Sequence, residues 1–256
     1  MVYFHRLLLV ANETGLLADD SVTLLIPTND AFRAAGYLID SIGSTQADQL
    51  VRYHVIKTPA IPGSATYTAY STFLGYSIYG MRDNSSVIWF NGNPVSGESR
   101  QVGKALVYRL SVPLSPAADS LPLLLAQDTS LSFFAEALKR TGLDTTLATG
   151  NYTLLAPLNS AWVTAGYDSL GAIDSADLTT LTQLAKNQVV AGSWFTNTLA
   201  GVPSVTSLQG NTITITQAGG SLQFSGSGNP VPAKLLSGNR QSGSNLILHR
   251  IDQVLR

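Results

Sequence analysis

Cysteine is missing from all 256 residues, which removes disulfides, thiolate clusters and a cysteine nucleophile together. That lack would be odd in a disulfide-stapled animal module and is ordinary in a bacterial surface protein. Histidine is nearly missing too: His5, His54 and His249 show no metal-ligand spacing, so no metal site or base–nucleophile pair is expected around them. Charged side chains are 12% of the chain and sum to −1, which leaves no electrostatic case for nucleic acid or an anionic membrane surface. No apolar run approaches the ~20 residues that span a bilayer. A phosphate-binding Gly-rich loop with its Lys, a Gly-x-Ser-x-Gly elbow and a calcium loop are all absent from the sequence. Asp19–Asp20, Asp174 and Asp177 come nearest to paired carboxylates and read as solvated loop or helix-start acids, where the helix dipole favours them. From Asn187 to Ala233 there is no charged side chain, and Thr, Ser, Gln and Asn must cover the solvent face. The chain is expected to have no cofactor, no metal and no catalytic residue.

What is present is 45% hydrophobic, enough for a folded core, and it is said twice. Thr23-Leu24-Leu25-Ile26-Pro27-Thr28-Asn29-Asp30-Ala31-Phe32 returns as Thr153-Leu154-Leu155-Ala156-Pro157-Leu158-Asn159-Ser160-Ala161-Trp162, and each copy closes on Ala-Gly-Tyr, at 35–37 and 165–167. Further pairs follow in order: Gln49–Ile56 with Gln183–Val190, Thr72–Gly75 with Ser207–Gly210, Gly92–Val95 with Gly228–Val231, Val107–Leu110 with Leu248–Ile251. The offset creeps upward, as small loop insertions in a collinear pair require. The period is far beyond the ~20–50 residues of a solenoid unit, so it is domain-sized. Residues 1–114 are expected as one domain, 115–127 as a short Pro-bearing connection and 128–256 as the second. The N-terminal edge reads as truncated, with an export or lipid-anchor segment expected upstream.

Within each half, helical periodicity comes first and strand alternation later. Phe4, Leu7, Leu8 and Ala11 form one apolar stripe, matched by Phe134, Ala137, Leu138 and Thr141, with Thr129 or Ser130 expected as cap. Thr23–Ile26 and Thr153–Ala156 read as short buried strands ended by prolines, followed by helices capped by Thr28 or Asn29 and by Asn159. A third helix places Ala47, Leu50, Val51 and His54 on one face; its partner places Leu181, Leu184, Ala185 and Gln188. Alternation over 77–79, 86–90, 211–216 and 221–224 predicts hairpin strands.

These signatures resemble those of the fasciclin domain. The resemblance covers nearly all of both halves and rests on 23–32, on Leu50-Val51-Arg52-Tyr53-His54-Val55-Ile56, and on the closing segments Leu106–Leu110 and Asn245–Leu255. It implies an α+β fold: two homologous fasciclin-like domains, each a β-sheet wedge with several helices alongside. It further implies a non-enzymatic, exported cell-surface adhesion protein with two tandem weak sites for a cell-surface or matrix protein or glycan. The expected location is extracellular, on a bacterial outer surface or in the periplasm. The second copy departs from the pattern, with Asn187-Gln188 in place of Tyr-His and His249 in place of Tyr108.

His54 has two readings. On an apolar helix face it suits a neutral core imidazole bonded to backbone; the resemblance instead implies that Tyr53 and His54 edge a partner-binding patch. Gln188 favours the first, because Gln can make similar hydrogen bonds. Tyr67, Tyr70, Tyr76 and Trp89, crowded with Phe73, Tyr79 and Phe90, are a second candidate surface, suited to sugar stacking or an aromatic-lined pocket for a glycan or apolar small molecule. They read equally as sheet core and cross-strand pairs. Asn12, Asn84 and Asn151 begin formal glycosylation sequons, meaningful only in a eukaryotic secretory route.

Overall fold

The computed structural model describes residues 2–18, 21–63, 65–118, 120–148, 150–242 and 246–256; Asp19–Asp20, Asp119 of the expected connection and Asn245 lie outside them. The chain divides into two compact units, Met1–Pro116 and Ala117–Arg256.

In the first unit, helix Val2–Val10 buries Phe4, Leu7 and Leu8 in a cluster shared with Ala47, Leu50 and Val51 of helix Ser44–His54. The strands are β1 (Thr23–Pro27), β2 (Val55–Ile56), β3 (Thr68–Ser71), β4 (Ser77–Arg82), β5 (Ile88–Phe90), β6 (Asn93–Pro94), β7 (Arg100–Val102) and β8 (Ala105–Leu110). They form two sheets, β2-β1-β8-β7 and β3-β4-β5-β6, with β1 and β8 parallel. Bridges Ile56↔Thr72 and Val95↔Leu110 tie the sheets along both margins. The result is a wedge, filled by Leu25, Ile78, Phe90, Tyr108 and Leu110.

The second unit repeats this plan with β9 (Tyr152–Pro157), β10 (Val189–Ala191), β11 (Ser204–Thr206), β12 (Thr212–Ala218), β13 (Ser221–Ser225), β14 (Ala233–Ser242) and β15 (Leu246–Ile251). Here the order is continuous, β10-β9-β15-β14-β13-β12-β11. The ten-residue β14 bends through register shifts around Ser237, pairing with β13 at one end and β15 at the other. Bridge Val190↔Ser207 closes the opposite margin. Residues 120–126 belong to this folded body: helix Leu121–Ala126, capped by Ser120, buries Leu121, Leu124 and Leu125 in its core.

The duplicated opening motif does the same work in both units. The short helices Asn29–Ala34 and Asn159–Thr164 end on glycines in left-handed conformation, Gly36 at φ +77° and Gly166 at φ +102°. The next residue then donates back into the helix, Tyr37 N to Phe32 O at 3.0 Å and Tyr167 N to Trp162 O at 2.9 Å. Each tyrosine ring meets the same partner edge-on, Tyr37 with Phe32 and Tyr167 with Trp162. This helix-ending motif needs a residue free of Cβ strain at its turn and an apolar one after it, which accounts for Ala-Gly-Tyr.

Capping differs from the sequence expectation. Thr28 does cap, its hydroxyl accepting from Ala31 N at 3.1 Å. The matching position is Leu158, which has no acceptor, and Asn159 does not cap its own helix. Instead Asn29 and Asn159 accept from the first turns of helices Val2–Val10 and Ser132–Arg140, Tyr3 N at 3.1 Å and Phe133 N at 3.0 Å. Helix Ser132–Arg140 accordingly has no side-chain cap from Thr129 or Ser130. An orphan N–H of its first turn is satisfied from 26 residues away along the chain.

Candidate functional site

Tyr53 and His54 are both 0% exposed, so they form no surface patch and present nothing to a partner. The Tyr53 hydroxyl accepts from Asn91 Nδ2 at 3.0 Å inside the wedge. His54 Nε2 accepts from Leu114 N at 3.0 Å, which leaves Nδ1 as the protonated nitrogen donating to Leu50 O at 2.7 Å. Gln188 reproduces this arrangement: its Nε2 donates to Leu184 O at 2.9 Å and to Leu255 O at 2.9 Å, and its Oε1 accepts from Leu255 N at 3.1 Å. In each unit, then, the last residue of the helical stripe fastens the terminal segment of the unit.

A second duplicated clamp sits beside it. Thr23 Oγ1 donates to Thr58 O and accepts from Ala60 N, at 2.9 and 2.7 Å. Thr153 Oγ1 treats Gly192 O and Trp194 N the same way, both at 2.8 Å. The Tyr108-to-His249 exchange is also conservative in geometry. Tyr108 OH donates to Ala60 O at 2.9 Å, and His249 Nε2 reaches the equivalent Trp194 O at 2.7 Å. His249 Nδ1 accepts from Asn239 N at 3.3 Å. Burial drives the pKa of His54 and of His249 down to about 4, opposed by the hydrogen bonds to Leu50 and Trp194. Both are neutral core imidazoles.

The candidate aromatics are split by strand alternation. Tyr70 pairs with Ile78 and closes over Gly80 together with Phe90, on the wedge side of the sheet. Tyr79, Met81 and Trp89 occupy the opposite face, Trp89 donating from Nε1 to Asp83 Oδ2 at 2.8 Å. Tyr76 packs against the wedge core and Tyr67, just ahead of β3, is half-buried. Successive residues of a strand point to opposite faces, so one continuous aromatic surface cannot form from Tyr70, Tyr79 and Trp89. In the second unit Phe195 and Phe224 are fully buried, and Trp194 donates to Ala191 O at 2.9 Å.

The most distinctive exposed surface is one without charge. On β12, Thr212, Thr214 and Thr216 face solvent while Ile213 and Ile215 are buried. Their neighbours across the strands extend the face in rows: Thr206 beside Thr212, Ser204 and Ser225 flanking Thr214, and Gln223 beside Thr216, with Lys234 at the margin. Strand geometry spaces such side chains by about 4.8 Å across the sheet and roughly 6.8 Å along it. Sequence reasoning noted the uncharged run but not which residues share a face; the alternation at 212–216 was the available signal.

Two stretches of the chain, 3–116 and 129–256, match the family model of the fasciclin domain. The chain belongs to the fasciclin-domain family. No curated protein matches it in sequence. Among solved structures it is similar to a FAS1 domain pair from the insect cell adhesion molecule fasciclin I, 14% identical over 99% of this chain and 95% of that one, with a TM-score of 0.49. A tandem pair of fasciclin domains fits cell adhesion or recognition, the general role of these modules. Among the described residues no three His, Asp or Glu side chains gather where they could hold a metal ion. Among them, too, no helix is long and apolar enough to cross a membrane. In the second fasciclin domain burial raises the pKa of Asp128, but hydrogen bonds from Ser130 and the charges of Arg250 and Arg240 outweigh it and hold the carboxyl below its usual range.

Proposed function

We propose that this chain is an exported, non-enzymatic recognition protein of a bacterial cell surface, using its two fasciclin domains as tandem weak sites for neutral protein or glycan surfaces. The observation that carries this reading is the hydroxyl-lined, uncharged face of β11, β12 and β13. Ser, Thr and Gln offer donors and acceptors without the desolvation cost of a buried charge, so a neutral glycan or a neutral protein face meets them with little penalty. Tandem copies suit weak sites because linking two of them raises apparent affinity ~10²–10⁴-fold without a new contact.

The test compares residues 1–116, residues 117–256 and the full chain on arrays of neutral glycans and matrix proteins. Tighter retention of the full chain, together with weakening by Thr214→Lys, is the expected result. Equal affinity of the full chain and its halves removes the tandem argument, and indifference to Thr214→Lys removes the neutral face.

A further inference from the structure

We propose that the first fasciclin domain carries a docking site, at the open edge of β7, for an acidic peptide of a partner protein that runs extended and then helical. The second domain displays the chemistry of such an edge when it is filled. Registers against β8 and β15 make Arg100, Gln101 and Arg109 the counterparts of Arg240, Gln241 and Arg250, the same residue type at all three places. In the second domain Ala118 lies parallel to Ser242, and Ala118 N donates to Gln241 O at 3.0 Å. Gln241 and Ser242 are buried there. The chain then forms helix Leu121–Ala126, which buries three leucines, and presents Asp128 to Arg240 at 3.7 Å and to Arg250 at 3.5 Å.

None of this cover exists on β7 among the described residues. β7 ends the sheet β2-β1-β8-β7, and Arg100, Gln101 and Val102 are all exposed, Val102 at 63%. Arg100 and Arg109 are exposed as well and form no ion pair among the described residues. Apolar surface lies open in the same domain: Val2 and Leu9 are exposed and hold the places of Ser132 and Lys139, which line the cavity beside helix Leu121–Ala126. An unpaired strand edge is a template for a further strand. Two free guanidiniums favour a carboxylate, and leucines gain on contact with exposed aliphatic side chains. Together these features select an occupant with the order found in residues 117–128: an extended segment, a leucine helix and an acid.

The site is separate from the neutral face of β11, β12 and β13 and does not rest on that reading. The test titrates the full chain into a fluorescein-labelled peptide of its own residues 117–130, with a scrambled peptide as comparator. Saturable binding of the first peptide alone is expected, weakened by added salt. Arg100→Gln and Arg109→Gln, checked for folding by circular dichroism, should each weaken it about two- to fivefold. Asp128→Asn in the peptide should weaken binding to the parent chain and not to the double arginine variant, because the removed partners are the same. Backbone NMR shifts on binding should centre on residues 100–102 and 109, and Thr214→Lys should leave the affinity unchanged. No binding, equal binding of the scrambled peptide, indifference to both arginine substitutions, an undiminished Asp128→Asn effect in the double variant, shifts centred elsewhere or dependence on Thr214 would each overturn the proposal.

Discussion

Replacing His54 by Gln tests whether the helix-end clamp is interchangeable between the two domains. Gln188 already makes the i−4 bond to Leu184 O and the bond from Leu255 N that correspond to His54 with Leu50 O and Leu114 N. At neutral pH the exchange keeps both backbone groups paired, so the cost should stay within about 1.5 kcal/mol, the scale of one net hydrogen bond. His54→Ala leaves the buried Leu114 N–H unpaired and opens a cavity, and should cost about 3–5 kcal/mol. Acid separates the variants further. Because burial holds His54 near pKa 4 in the folded state against an ordinary 6.5, the unfolded chain takes up the proton first. The clamp's stability is complete above pH 6.5 and is lost progressively as pH falls towards 4. At pH 4.5 the linkage amounts to about 2–3 kcal/mol, a loss that the non-titrating amide of the His54→Gln variant escapes. Urea denaturation of the full chain at pH 7.0 and pH 4.5, followed by amide exchange at Leu114, reads both effects. The first domain of His54→Gln should be slightly weaker than the parent at pH 7.0 and stronger at pH 4.5, while the second, which keeps His249, should still weaken in acid. Loss of the folded first domain at pH 7.0, or an unchanged acid response there, refutes the reasoning.

Two further substitutions probe packing. Trp162 is fully buried and its Nε1 has no hydrogen-bond partner among the described residues, whereas the first domain has Phe32 at that place. Trp162→Phe removes an unpaired donor that costs about 1–3 kcal/mol while losing apolar area, so its thermal stability should change by less than about 1 kcal/mol; a loss above about 3 kcal/mol would mean the N–H is paired. Gly80→Ala would bring a Cβ to 2.8 Å from Phe90 Cε1, 2.9 Å from Tyr70 Cε2 and 3.0 Å from Pro62 Cγ. It should destabilise the first domain by about 1–3 kcal/mol, and an unchanged denaturation midpoint would show that the rings move aside freely.

What the sequence by itself determined is what depends on neighbours close along the chain. The duplication, the strands at 23–26 and 153–156 ended by prolines, the buried stripe Ala47, Leu50, Val51 and His54, and the alternation at 211–216 are all patterns of nearby residues, and they reappear in β1, β9, helix Ser44–His54 and β12. The interchange of His54 with Gln188 was legible because two copies could be laid side by side.

Only the tertiary structure decided what depends on separations of tens of residues. Asn159 satisfies a helix start 26 positions back, and His249 reaches the Trp194 carbonyl 55 positions away, as Tyr108 reaches that of Ala60. Strand register placed Tyr70 on one face and Tyr79 and Trp89 on the other, and the docking of helix Leu121–Ala126 against Ser132–Arg140 created a cavity that neither helix encodes alone. Local propensity is set by each residue's own backbone and its near neighbours, whereas a hydrogen bond or a cavity between distant segments exists only once the whole chain has fixed their distance.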